Sequence, residues 1–474
     1  LLLTLGGLAA CGGGGGADSS ADSGEVVIAL TDAPGDFATY TVDVLSLKLT
    51  RADGTQVETL PLNTRVDFAL YTEVSEFLTA ATLPNGRYVQ GSMLLDYSNA
   101  DIQVEDADGN AVPVTAIVDG IGDPIDTLEV EVSLEGVNAL PVAPGIPRSL
   151  LLDFDLEQSN SLVFAGSDIT LSVEPVLIAT VDTQTPGVHL LRGPLQSVNL
   201  DDSAFSLFIR PFFHPIRTGA RRFGGLDVHT DDNTFYEIDG VGYQAEPGLQ
   251  VLNTLTSLSA VSVRGELRFQ PLRFEASEVY AGSSVPGGEL DVVRGSVVQR
   301  QGDVLTIRGA TLIRQDGTVV FNDQVSVQLD QSTRVTKQSE MELFDIDDIS
   351  VGQRIEVFGI LTNDDATDLQ LSAANGYARM LQSRLQGSVE ALPGGGDWLA
   401  LALTSINQRS VELYDFAGTG VDAGSDADPA FYEVDSGSLP LEIVELDEVA
   451  VVSGFPTPFG SAAPDFTAQT LAAP

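Results

Sequence analysis

Along most of the chain, apolar and polar residues alternate in short runs cut by Gly, Asp, Asn and Pro, the pattern of antiparallel strands joined by tight turns. The stretch YTVDVLSLKLTRADGTQVETL shows it best. Tyr40, Val42, Val44, Leu45, Leu47 and Leu49 carry the alternation, Asp53 and Gly54 supply the turn, and the chain returns, which predicts a hairpin. Asp108 and Gly109 within IQVEDADGNAVPV predict a second. No stretch carries a long 3.6-residue period with caps at both ends; VDFALYTEVSEFLTAATL, residues 66–83, is the best helical candidate, for one or two turns. The fold class read from this pattern is mainly β.

The later part of the chain repeats itself. FYEID at Phe235–Asp239 reappears as FYEVD at Phe431–Asp435, with strand starts at Gly193 and Gly387 upstream, VRGEL around Gly265 and VSGFP around Gly454 downstream, and FEA at Phe274 or FTA at Phe466 after that. A looser copy lies between them: GSVVQRQGDVLTI from Gly295, VQLD at Val327–Asp330, VGQRIEVFGIL around Gly359 and LSA at Leu371. Three units follow, 190–284, 293–378 and 383–472, after a first domain over 25–182. Their strand order, with "G-x-x-V-x-V-x-G" before a closing strand, resembles the small barrel domain catalogued as domain of unknown function 5666, similar to the OB-fold. The resemblance implies three small barrel-like (OB-like) repeats, and a barrel leaves no open sheet edge.

In the first domain, VVIALTDAPGDFATYTVDVLSLKLTRADG, then VDF at Val66–Phe68 and ATLPNGRYVQGSMLLD at Ala81–Asp96, resemble the bacterial lipoprotein domain catalogued as domain of unknown function 4382. That family is linked to exported, often lipidated proteins with an antiparallel β-sandwich-like fold, and it brings no catalytic residues to carry over. The start of the chain agrees. Residues 1–10 have the length of the apolar part of a signal peptide, too short to span a bilayer, and Leu8, Ala9, Ala10 and Cys11 are similar to the lipobox of bacterial lipoproteins. The resemblance implies that Cys11, the single cysteine, carries acyl chains such as palmitate after a partial signal peptide over 1–10, with residues 11–24 as a Gly/Ser/Asp tether spanning roughly 20 Å. The expected location is the bacterial cell envelope, with the lipid in the membrane. Gly12 after the cysteine leans the expectation toward the outer membrane.

Charge changes the list of partners. With 68 acidic and 23 basic residues the formal net charge is −45, a field that repels nucleic acid. The local exception is RPFFHPIRTGARRF. Its Arg210, Arg217, Arg221 and Arg222 with Phe212, Phe213, His214 and Phe223 form either a seat for an anionic or sugar ligand, a docking loop for an envelope protein, or a hairpin that packs on its barrel. Calcium is the one cofactor the acidic turns suggest, at Asp422, Asp426 and Asp428 in DAGSDADP, although the EF-hand pattern is not met and solvated surface turns account for them better. His189, His214 and His229 stand apart from any HxH or HExxH context, and there is no GxSxG. The expectation is a lipid-anchored binding or structural module without a catalytic site. The alternatives are a calcium-stabilised surface adhesin and a polysaccharide-degrading enzyme with paired carboxylates.

Overall fold

A computed structural model describes residues 22–32, 37–71, 74–106, 109–136, 139–166, 168–182, 187–211, 223–268, 273–365, 367–393 and 397–473. Cys11, residues 12–21 of the tether and residues 212–222 lie outside this set, as does Asp108, while Ser23 and Gly24, expected to end the tether, already belong to the strand Ser23–Thr31. The protein is mainly β.

Two layers build the first domain. One runs Leu177–Val181, Arg148–Phe154, Ser23–Thr31 and Ser75–Pro84; the other centres on the long pair Phe37–Arg51 and Gly86–Glu105. Tyr40, Val42, Val44, Leu47 and Leu49 are buried between the layers, while Leu45 is only half-buried, because the register shifts between Val44 and Ser46 and moves the inward face by one residue. Each such side chain contributes about 1.5–3 kcal/mol. Most pairings are antiparallel, but Ser23–Thr31 runs parallel to Arg148–Phe154. The hairpin at Asp53–Gly54 forms, with Gly54 at φ +84° and Asp53 Oδ1 accepting from the Thr55 amide at 3.0 Å. Ala111–Pro113 returns along Gln103–Glu105 in the second.

The helical candidate is corrected. Only Phe68–Tyr71 makes a single 3-10 turn, and Ser75–Pro84 is a strand. That strand sits inside the sheet between Ser23–Thr31 and His189–Asn199, where burial of Phe77, Leu78 and Leu83 with full backbone pairing overrides helix propensity.

Each of the three later units is a closed five-stranded barrel. The first uses His189–Asn199, Ala204–Phe208, Gly225–His229, Ala260–Arg268 and Arg273–Ala281; the second Asp291–Gln301, Val304–Ile313, Val319–Gln328, Arg354–Asn363 and Leu369–Leu381; the third Ser383–Ala391, Trp398–Ile406, Tyr432–Asp435, Val449–Pro456 and Phe466–Ala472. The third and last strands close each barrel in parallel, with Val228 opposite Phe274, Val325 opposite Leu369 and Val434 opposite Phe466. Between the first and fourth strands, His189 faces Gly265, Asp291 faces Gly359 and Ser383 faces Gly454. A Cβ on those glycines would sit 2.1, 2.2 and 2.1 Å from the carbonyl oxygens of Glu275, Ser372 and Thr467. Register shifts occur at the same places, so each glycine marks the corner where the strand bends to close the barrel.

The matching register corrects the repeat frame. FYEVD belongs to the strand that closes the third barrel, Tyr432–Asp435, whereas Phe235–Ile238 of FYEID is an extra strand beside Arg273–Ala281. The counterpart of FYEI is Arg334–Lys337, which pairs in parallel with the last strand of the second barrel. Two aromatic, acidic strands of the same composition therefore do different jobs.

The first domain and first barrel share one eleven-stranded sheet, because His189 and Leu190 pair in parallel with Ser75 and Glu76, and their cores are continuous. The second and third barrels interlock. Val298 and Val351 of the second lie in the core of the third, and Phe455 of the third lies in the core of the second. The hairpin around Gly109 reaches from the first domain to both, where its Gly109 carbonyl accepts from Arg308 and Arg409, each at 3.2 Å.

Candidate functional site

The strands just described bring arginines together where the first domain and all three barrels meet. A cleft of about 170 Å³ is lined by Arg192, Arg264, Arg294, Arg354, Arg379 and Arg384, with Tyr71 of the first domain and Ser383 and Ser453 of the third barrel. The register explains the convergence. Arg192 and Arg294 each precede the glycine of the first strand of their barrel and pair with Ser262 and Glu356 of the fourth strand. They hold the same position in consecutive units.

Arg192, Arg294 and Arg379 are held by buried carboxylates. Arg192 is buried and pairs with buried Glu76, its Nη2 also 3.4 Å from the Tyr71 hydroxyl. Arg294 pairs with Glu356, which also accepts from Arg379 Nη1 at 2.6 Å. Arg379 turns its Nε and Nη2 to Glu237 at 3.0 and 2.5 Å and donates to the Ser284 carbonyl at 2.9 Å. Burial alone would raise the Glu356 pKa, but Arg294 and Arg379 overcome it and hold the carboxyl at about 2. Burial likewise works against the charge on Arg379, and Glu237 and Glu356 outweigh it, so its pKa is raised.

The network straddles the first and second barrels as a pseudo-two-fold contact. Tyr280 and Arg379 occupy equivalent positions, as do Glu237 and Thr336. Each pair meets across the seam: the Arg379 guanidinium lies 4.2 Å from the Tyr280 ring centroid, and the Thr336 hydroxyl donates to Glu237 at 3.0 Å. Gln338 and Ser339 close the seam on Glu278, at 2.9 and 2.7 Å. Glu237 is the glutamate of FYEID, so the motif's buried acid serves the junction.

The residues chosen from sequence are placed differently. Arg210 and Phe223, the described ends of the basic segment, are buried at the seam with the first domain, the guanidinium 5.5 Å from the ring centroid. The Arg210 amide donates to the Arg192 carbonyl at 2.7 Å, and the Phe223 carbonyl accepts from the Ala80 amide at 2.8 Å. Phe212, Phe213, His214, Arg217, Arg221 and Arg222 lie outside the described residues. Asp426 accepts from the amides of Gly418 and Gly420 at 2.9 and 3.0 Å, Asp422 from Gly424 at 2.9 Å and Asp428 from Ala430 at 2.9 Å, each carboxylate thus bracing its own turn. Among the described residues no group of three or more His, Cys, Asp or Glu is arranged to hold a metal ion. His189 meets Ser75 through Nδ1 in a buried contact, and burial lowers its pKa to about 4.

The motif residues of the first domain are pins. Asp32 Oδ1 accepts from the Leu156 amide at 3.1 Å; Asp67 accepts from the amides of Tyr40 and Ala69 at 2.9 and 3.2 Å; Tyr88 donates to the Pro84 carbonyl at 3.0 Å. The TDAP, VDF and LPxGxY patterns thus hold the sandwich together.

The sequence left one signal for the cleft. Arginine precedes glycine at 192–193, 264–265, 294–295 and 308–309, and the first three of these arginines line the cleft. Alternation locates such residues on strands and is silent on which barrel faces which.

The class defined by these observations is a mainly β protein with a sandwich-like base and three small closed barrels around an arginine-lined cleft. Residues 23–168 match the family model described as Domain of unknown function (DUF4382). Neither the curated proteins nor the solved structures contain a match to the chain.

Proposed function

We propose that the protein is a binding module of the bacterial cell envelope, held at the membrane by acyl chains on Cys11, with the inter-barrel cleft as its ligand seat. The observation that carries this reading is the convergence of six guanidiniums on one cleft in a chain of net charge −45. The LAAC run and the match of the first domain support the envelope location, and the likeness of the barrels to domain of unknown function 5666 supports a family of exported repeats. A non-catalytic role is favoured by Glu356, the carboxylate lining the cleft. Clasped by two guanidiniums and held at about 2, it is a poor proton donor and a weak base.

Fractionation of cells with metabolic palmitate labelling tests the anchor: label and membrane location are expected for the wild type and lost in Cys11→Ala. Capture of envelope glycans by the intact protein tests the seat. Retention by wild type and loss in an Arg264→Gln, Arg354→Gln, Arg384→Gln triple variant are expected; equal capture by both overturns the seat.

A further inference from the structure

We propose that the third barrel takes an extended, basic segment of another protein as an added strand on the open edge of its last strand, a site separate from the cleft. The first two barrels show what is missing. In each, the third strand ends in a D-x-x-T turn, DDNT at Asp231–Thr234 and DQST at Asp330–Thr333, and an extra strand follows. Phe235–Ile238 then runs parallel to Glu278–Ala281, and Arg334–Lys337 to Tyr377–Met380. The buried turn threonines tack the chain onto the last strand, donating to the carbonyls of Ala276 and Ala373 at 2.9 and 3.0 Å.

The third barrel begins the same way and then departs. In DSGS, Asp435–Ser438, the Gly437 amide donates to Asp435 Oδ1 at 2.9 Å, as the Asn233 amide does to Asp231 at 2.8 Å and the Ser332 amide to Asp330 at 2.6 Å. Pro440 comes next but one. It has no amide to give a ladder, Leu441–Ile443 closes into a 3-10 turn, and Val444 enters the barrel core. Phe466–Ala472 therefore meets the third strand only at Phe466 and Thr467, and from Ala468 onward no strand lies along its outer edge among the described residues. The register sets Thr470, Leu471 and Ala472 where the other barrels have Glu278, Val279 and Tyr280 or Tyr377, Ala378 and Arg379. Those six are buried, whereas Thr470 and Ala472 are exposed and Leu471 is half-buried.

Charge chooses the occupant. Open edges are normally blunted by lysine or proline, yet Ala468–Ala472 carries neither, and its free ladder offers backbone hydrogen bonds to a partner. The surroundings are acidic, with Glu433 and Asp435 on the third strand and exposed Glu442 and Glu445 in the loop that replaces the extra strand. A second copy, of net charge −45, is repelled by this field and a basic segment is drawn in. The second barrel shows the fit: its own extra strand, RVTK, carries Arg334 and Lys337 on either side of buried Val335 and Thr336.

The test is fluorescence anisotropy of a labelled peptide STRVTKQ, the sequence of Ser332–Gln338, titrated with the intact chain. Saturable binding is expected, weaker by about 10-fold or more for the peptide carrying Arg334→Glu and Lys337→Glu, and weaker to a similar degree on a chain carrying Thr470→Lys and Ala472→Lys. A thermal midpoint equal to wild type establishes that this variant folds. No saturable binding overturns the proposal, and so does equal binding by the variant, which puts the peptide elsewhere. Equal binding of the charge-reversed peptide overturns the basic class. In sedimentation velocity without peptide the chain is expected to be monomeric; a dimer that the variant abolishes gives the edge to a second copy and overturns the peptide. None of these results bears on the cleft, which the glycan capture decides on its own.

Discussion

The seam between the first and second barrels is charged, and the seam between the second and third is greasy. At the first, Glu237, Glu356, Arg294 and Arg379 form a buried ion-pair chain with Thr336 and Ser284 satisfying its remaining polar atoms. At the second, Val298, Val351 and Phe455 cross into the neighbouring core, and Lys337 and Arg300 lie 4.4 and 4.6 Å from the ring centroids of Phe455 and Phe459. Apolar burial holds two bodies together with little directional demand, whereas buried ions demand partners and register. The difference teaches where function sits: the cleft opens at the seam whose groups already handle charge.

Breaking the charged seam has the largest effect. Arg379→Met strands Glu237 and leaves Glu356 with Arg294 alone, and a loss of about 3–5 kcal/mol is expected by denaturant unfolding. An unchanged midpoint would mean the network is not formed. Next comes the apolar seam: Val351→Ala is expected to cost roughly 2 kcal/mol through lost burial and the cavity left behind, with ligand affinity unchanged. A loss of affinity at this remote position would show that the two seams are coupled.

Acid sets the charged seam apart from carboxylates buried within the first domain and the third barrel. The folded pKa of Glu356 lies below its unfolded value of 4.5, so its stabilisation is present above that value and is lost as pH falls toward about 2. Asp67 and Asp465 behave oppositely. Burial raises both from 3.8 to about 6, so their contribution is present below 3.8 and lost as pH rises through about 6. A thermal midpoint that declines between these two values is expected from scanning calorimetry, with a shallower decline in Asp67→Asn. An identical slope would remove Asp67 from the account. The smallest effect falls far from both seams: Asp426→Ala loses the acceptor for two amides and is expected to cost about 1 kcal/mol, equally with calcium and with chelator. A calcium-dependent cost would favour the adhesin reading.

Much of the fold was legible because strand alternation and corner glycines are local. Tyr40, Val42 and Val44 are buried as their spacing requires, and Gly265, Gly359 and Gly454 recur because a Cβ on each would lie about 2 Å from a carbonyl oxygen. The strand at Ser75–Pro84 was misread because Ala80, Ala81 and Glu76 favour a helix locally, while its place between two strands is settled by distant residues. FYEID and FYEVD misled for a related reason, as composition reports burial and leaves topology open. The cleft was hidden because it arises only when barrels are set face to face. Its arginines are scattered from position 192 to 384, and the densest basic run in the sequence, around Arg221, drew attention away from them.

The most direct measurement of the central claim is capture of envelope glycans by the intact protein, wild type against the Arg264→Gln, Arg354→Gln, Arg384→Gln variant. The account predicts retention by the wild type and loss in the variant; equal capture by both would contradict it.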